Sequence, residues 1–185
     1  RYIFDISGRS AHAGEGQLAG RSAILEASVL IQRIDGLSDP ARGISFNCGV
    51  IEGGTRANVI PAHASLQVDA RCDRAEDVSW IETKMKEIAS QSVRGCMIEL
   101  KGGMGRPAWP ESFDSLQLYD IWLEAADDLG LGAIEMVHAG GGSDANVLHG
   151  VGVPVLDGLG PVGGEVHSQK EWVALDSLPE RAALN

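Results

Sequence analysis

The chain has 185 residues, which is enough for one large domain or two small ones. With 44% hydrophobic and 22% charged residues, it is typical of a globular protein rather than a disordered one. The net charge of -11, with no run of Lys or Arg, argues against nucleic-acid binding, and no apolar run approaches the ~20 residues of a membrane span.

The first half of the sequence predicts a domain of the α+β class. In chain order we expect a strand at 2–7, a helix at 23–34, strands at 44–51 and 64–70, a helix at 78–88 and a strand at 96–101. The order β-α-β-β-α-β is that of the split βαβ, ferredoxin-like arrangement, with both helices on one face of an antiparallel sheet. Its unpaired edge strand invites pairing with a second copy.

From residue 105 onward the pattern changes. It predicts a helix at 116–126, a strand at 133–137, a short helix capped by Ser143, an apolar strand at 151–156 and a helix at 176–184. This alternation indicates part of an α/β layer with parallel strands, but two strands are too few for a stable sheet. Both chain ends fall inside elements, so we expect a piece of a longer protein, with domains at 1–104 and 105–185.

The cysteines point to a reducing compartment. Cys48, Cys72 and Cys96 are widely spaced, and three cannot all pair. We therefore expect buried free thiols and a cytoplasmic location.

Three short motifs could carry chemistry. The Gly run at 140–142 precedes a short helix and can offer backbone N–H groups to an anion or a carbonyl oxygen. His167 follows in a second Gly-rich segment and is a candidate metal ligand. The other two motifs are Ser-Ala-His-Ala-Gly at 10–14 and Gly-Gly-Thr-Arg-Ala-Asn-Val-Ile-Pro at 53–61.

These motifs occur in order with Asp-Ala-Arg at 69–71, Gly-Arg-Pro-Ala at 105–108 and Leu-Gly-Pro at 159–161. Together they resemble the zinc-dependent metallopeptidases and deacylases that include glutamate carboxypeptidase, acetylornithine deacetylase and succinyl-diaminopimelate desuccinylase. The Gly-Arg-Pro-Ala-Trp stretch is most similar to the glutamate carboxypeptidase branch. The resemblance covers nearly the whole chain.

The resemblance implies a ferredoxin-like lid at 1–104 that forms a homodimer, followed at 105–185 by the C-terminal part of a two-zinc catalytic domain. The segment that carries the family's His-x-Asp pair, bridging Asp and Glu-Glu pair has no counterpart in the sequence. We therefore expect the chain alone to be inactive and to bind zinc weakly at most. The complete protein is expected to hydrolyse an amino-acid or peptide amide and release an amino acid with a free α-carboxylate.

The resemblance also assigns roles to individual residues. His12 is expected to reach across the dimer and donate to the scissile carbonyl oxygen. The substrate is expected to contact Asn58, Arg71, Arg106, Gly141 and Gly142, and His167 is expected to ligate zinc.

Plainer interpretations remain open for most of these residues. His12 could be an ordinary surface residue, Asn58 could bond its own backbone in a turn, and Arg71 could pair with a neighbouring Asp. Arg106 could be an exposed linker residue, and the Gly run could be a simple turn. The alternative function is a dimerisation or binding module without catalysis.

Overall fold

The computed structural model describes residues 1–185, which form two compact units, Arg1–Ala108 and Trp109–Asn185. The sequence places the boundary slightly earlier, after residue 104. No helix is both long enough and apolar enough to cross a membrane.

The first unit has the predicted α+β, ferredoxin-like architecture. Its four strands are β1 (Tyr2–Ser7), β2 (Ser45–Gly53), β3 (His63–Arg71) and β4 (Met97–Gly102), and its helices are α1 (Ala23–Asp35) and α2 (Asp77–Ser90). The strand order is β2-β3-β1-β4, and all neighbours are antiparallel. The fold class predicted for this part of the chain is confirmed.

One face of the sheet forms the core. Along β1, Tyr2, Phe4 and Ile6 are buried and alternate with half-buried residues, as expected for a strand with one covered face. The helices contribute the other half of the core through Ala23, Ala27, Leu30, Ile34, Ile81, Met85 and Ile88. Each large apolar side chain buried in this way contributes about 1.5–3 kcal/mol relative to exposure.

The pairing register gives the sheet two distinct ends. Ser7 lies opposite His63, so the loop after β1 and the loop before β3 lie at one end. Arg71 ends β3 at the other end. The chain also leaves β4 at this second end. There Gly102 lies opposite Tyr2, and the Arg1 amino group donates to the Gly103 carbonyl over 2.7 Å.

The second unit is less regular. Its helices are α3 (Phe113–Asp128), α4 (Ala145–Gly150) and α5 (Ser177–Leu184), and the two-residue strands β5 (Gly163–Gly164) and β6 (Trp172–Val173) form a small hairpin. The predicted helices near both ends of this unit are confirmed. The short central helix begins at Ala145, with Asp144 at the N-cap position, and the predicted capping contact of Ser143 is present, since its Oγ accepts a hydrogen bond from the Ala145 N–H over 3.1 Å.

The strands predicted at 133–137 and 151–156 are wrong, because neither segment is paired with another strand. A strand needs a neighbour for its backbone N–H and C=O groups, and an apolar run alone does not supply one. The buried apolar residues of this unit are few, namely Ala126, Val155 and Leu184. Many of its large apolar side chains are therefore exposed, among them Val151 and Val153.

Candidate functional site

His12 lies in the loop between β1 and α1, and its own loop holds its imidazole ring. The Nδ1 atom accepts hydrogen bonds from the backbone N–H groups of Gly14 (3.1 Å) and Glu15 (3.3 Å). The Gly16 N–H donates to the His12 carbonyl over 2.8 Å and closes the turn. The ring is thus oriented by backbone groups and is not a freely rotating surface side chain.

Asn58 lies beside this loop. The Ala13 N–H donates to the Asn58 carbonyl over 3.1 Å, and His12 and Val59 form an isolated antiparallel bridge. The side chain of Asn58 is exposed and makes no hydrogen bond within the chain, so it does not bond its own backbone as the turn interpretation requires. The structure therefore brings His12 and Asn58 to the same end of the sheet.

Arg71 lies at the opposite end. It is the last residue of the nine-residue strand β3, about 27 Å from His63 at ~3.4 Å per residue. Its Nε donates to Asp69 Oδ2 over 2.7 Å, and about half of each side chain is exposed to solvent. The ion pair that the plainer interpretation expected is present, and within one copy Arg71 is remote from His12.

Arg106 and the Gly run lie outside the sheet. Arg106 is exposed, near the end of the first unit and outside any helix or strand. Gly141 and Gly142 are exposed in the second unit, ahead of α4. A Cβ atom at Gly141 would meet only open space, so packing within this chain does not itself require glycine there.

His167 lies in the turn between β5 and β6 in an unusual backbone conformation. Its φ is 66°, and that of Glu165 is 55°; these are the chain's two non-glycine residues with positive φ. Such conformations cost about 1–3 kcal/mol each and are frequent at functional sites. The His167 N–H donates to Glu171 Oε2 over 3.3 Å, a contact that no motif in the sequence indicated.

The chain does not contain a complete metal centre. Imidazole nitrogen is a good zinc ligand, so His167 suits that role by its chemistry. However, no group of three or more His, Cys, Asp or Glu side chains converges anywhere in the chain. The residues present therefore do not fit a zinc site by themselves.

The cysteines have the character of structural residues. All three are free; Cys96 is buried, whereas Cys48 and Cys72 are only half-buried, less than predicted. Burial, together with nearby carboxylates, raises the pKa of each thiol. This is the direction opposite to that of a reactive cysteine, which needs a lowered pKa.

A comparison with known proteins identifies the family. Residues 1–95, about half of the chain, match the M20 family described as the peptidase dimerisation domain. The chain therefore belongs to the M20 peptidase dimerisation-domain family.

Individual relatives extend the similarity beyond this domain. The chain is 32% identical over 183 residues to carboxypeptidase G2 of a Pseudomonas species, covering 96% of this chain and 43% of that protein. It is 31% identical over 83 residues to a p-aminobenzoyl-glutamate hydrolase homolog of Haemophilus influenzae, covering 44% of this chain and 20% of that one.

Among solved structures, a tripeptidase from Staphylococcus aureus has a TM-score of 0.80 and 26% identity, with coverage of 99% of this chain and 48% of that one. The chain thus spans about half the length of the full-length relatives that it matches along its whole extent.

Proposed function

We propose that the chain is the dimerisation domain and part of the catalytic domain of an amide or peptide hydrolase. The observation that carries this proposal is the pairing of His12 and Asn58 at one end of the sheet of an M20 dimerisation domain. Both side chains have hydrogen-bond donors with no partner in the chain. Two such donors are suited to a polar substrate that arrives from outside this copy.

The substrate is an amide of an amino acid with a free α-carboxylate, preferentially an acidic one. Arg71 and Arg106 each offer a guanidinium group, whose rigid fork matches a carboxylate. The preference for an acidic residue is supported by the similarity to a p-aminobenzoyl-glutamate hydrolase homolog. Gly141 and Gly142 lack side chains and leave their backbone open to close approach by the substrate.

In this proposal His12 donates a hydrogen bond to the scissile carbonyl oxygen, and Asn58 donates to the substrate through its side-chain amide. A donor aimed at an oxygen that becomes negative stabilises the transition state more than the ground state, by about 3–4 kcal/mol. His167 is the one ligand that this chain contributes to a two-zinc site whose remaining ligands belong to residues outside these 185. The three free thiols favour a cytoplasmic location.

The working protein is a homodimer, and each site takes residues from both copies. His12 and Asn58 lie at the end of the sheet opposite to Arg71 and to the point where the chain leaves β4. One copy therefore cannot bring Arg71 to the same small substrate as His12 and Asn58. Two copies can, if one supplies His12 and Asn58 and the other supplies Arg71.

The dimer forms through the β2 edge of the sheet. This strand contains no Lys or Pro, and it exposes Val50 and Ile51. On the neighbouring helix α1, Ile24 and Leu25 are also exposed. An exposed apolar edge without such protective residues is a template for pairing with another strand.

Mixed dimers test the proposal. We would express the longest natural polypeptide that contains this sequence, or this chain with the N-terminal half of carboxypeptidase G2, and measure hydrolysis of p-aminobenzoyl-glutamate. His12→Ala and Arg71→Ala are each expected to abolish activity. Co-refolding the two variants should restore about a quarter of wild-type activity, because half of the dimers are mixed and one of their two sites is intact. No recovery from a well-folded mixture would refute the shared site.

The alternative is a dimerisation module without catalysis, and the observation behind it is the match of residues 1–95 to the peptidase dimerisation domain. A wild-type assembly that forms a dimer, binds zinc in the expected ratio and still hydrolyses no amide would support this alternative over the hydrolase.

A further inference from the structure

We infer that the backbone N–H groups of Gly14 and Glu15 are positioning groups that hold His12 in its Nε2–H tautomer, making it a hydrogen-bond donor rather than a proton acceptor. The role of that donor rests on the proposed function. The tautomer itself is a property of this chain and can be measured without substrate.

The argument begins with the ring. A neutral imidazole has one N–H and one nitrogen lone pair, and a neighbour that donates to one nitrogen leaves the proton on the other. Two donors converge on Nδ1 of His12, from Gly14 at 3.1 Å and Glu15 at 3.3 Å. Nδ1 must therefore carry the lone pair, and Nε2 carries the proton.

The surrounding turn keeps this arrangement in place. The His12 carbonyl is occupied by the Gly16 N–H, and the Ala13 N–H is bonded to the Asn58 carbonyl in the neighbouring loop. The backbone on both sides of the ring is thus fixed by hydrogen bonds. A rotation of the ring that exposed Nδ1 would leave the Gly14 and Glu15 N–H groups without this acceptor.

This arrangement is the reverse of that in a histidine general base. In a Ser-His-Asp triad, a carboxylate accepts from Nδ1–H, which leaves the lone pair on Nε2 to take a proton. Here N–H groups occupy the place of that carboxylate. A proton on Nδ1 would remove the acceptor that both of them use, so the outward-facing nitrogen is left with a single role, that of a donor.

Gly14 offers a matched pair of variants. A Cβ atom at this position would lie 3.5 Å from Nδ1 and Cε1 of His12, an ordinary contact, so Gly14→Ala keeps both the N–H and the packing. Gly14→Pro removes the shorter of the two hydrogen bonds, because proline has no backbone N–H.

The experiment is a long-range ¹H–¹⁵N correlation spectrum of the histidine rings in the ¹⁵N-labelled 185-residue chain at neutral pH. We expect a pyridine-type Nδ1 and a pyrrole-type Nε2 for His12 in the wild type and in Gly14→Ala. In Gly14→Pro both resonances should move towards the average of the two tautomers. A wild-type His12 with Nδ1–H, with averaged tautomers or with both nitrogens protonated would overturn the inference.

A second measurement needs no variant and covers the case in which Gly14→Pro misfolds. The hydrogen bond should produce a scalar coupling between the Gly14 amide nitrogen and His12 Nδ1 in the wild type, and its absence would also overturn the inference. Neither spectrum depends on hydrolysis. If the completed assembly described under the proposed function hydrolysed no amide while the 185-residue chain gave the expected spectra, the proposed function would be refuted and the tautomer assignment would stand.

Discussion

Glu26 ties α1 to the segment before β4, and its removal is the sharpest test of the energetics of the first unit. The side chain is completely buried and accepts hydrogen bonds from Ser92 Oγ (2.5 Å), Val93 N (2.9 Å) and Arg94 N (2.7 Å). Glu26→Ala leaves two backbone N–H groups without an acceptor, at about 1–3 kcal/mol each, and removes the Ser92 bond. We therefore expect a loss of about 3–5 kcal/mol in the free energy of unfolding.

The assay is a urea titration in which unfolding is monitored by hydrogen exchange in peptides from β1 and β3. The unfolding signal then comes from the first unit alone. Glu26→Gln keeps the shape and one acceptor oxygen, and we expect it to lose about half as much. Gln32→Ala, at an exposed position of the same helix, is the control and should change stability by less than about 0.5 kcal/mol. A loss below about 1 kcal/mol in Glu26→Ala would refute the reasoning, because other groups would then satisfy the freed donors.

The same contacts predict a pH dependence. Burial acts to raise the pKa of Glu26, but the hydrogen bonds from Ser92 and from the backbone of Val93 and Arg94 outweigh it and hold the pKa below its ordinary value of 4.5. A lowered folded-state pKa gives stabilisation that is present above the unfolded value and is lost as the pH falls through the folded one. The deficit of Glu26→Ala should therefore shrink below about pH 4, and a deficit unchanged down to pH 3 would contradict this.

The remaining predictions concern three other places in the chain. The buried hydroxyl of Tyr2 has no hydrogen-bond partner, so Tyr2→Phe should raise the free energy of unfolding by about 1 kcal/mol in urea titrations at pH 7, and a loss would mean that the hydroxyl is satisfied. Burial raises the pKa of Tyr2 to about 12, so the free energy of unfolding of the wild type should fall as the pH rises from about 10 to 12. Tyr2→Phe has no phenol to ionise and should not show the part of this fall that Tyr2 causes. Val50→Lys on β2 should convert the proposed homodimer to a monomer in sedimentation experiments, whereas Met97→Lys on the opposite edge strand β4 should not; equal effects would argue against the proposed β2 interface. The exposed apolar side chains of Val151 and Val153 should bind a hydrophobic dye, and replacing both with Ser should reduce the fluorescence; unchanged binding would mean that the dye binds at another surface.

The elements of the first unit could be predicted from the sequence because the information is local. The alternation of Tyr2, Phe4 and Ile6 and the helical spacing of Ala23, Leu30 and Ile34 already identify which face of each element is buried. The strands predicted in the second unit had no alternation of apolar and polar residues to indicate a buried face. The run at 151–156 is apolar throughout, and such a run becomes a strand only where another strand lies beside it.

The candidate site was predictable in part. The motifs named His12, Asn58 and His167, but nothing in the sequence indicated that Nδ1 of His12 is held by two backbone N–H groups, or that His167 adopts a left-handed backbone conformation. Both features depend on turn geometry, which short motifs rich in glycine leave open.

By itself, the sequence determined the order of strands and helices in the first unit and the residue types available for chemistry. Only the tertiary structure decided which of those residues meet. Asn58 and Arg71 are separated by few residues, yet β3 carries them to opposite ends of the sheet, while His12, far away in sequence, lies beside Asn58. The reason is that the pairing register between β1 and β3 joins segments that are distant along the chain, and no local pattern encodes that register.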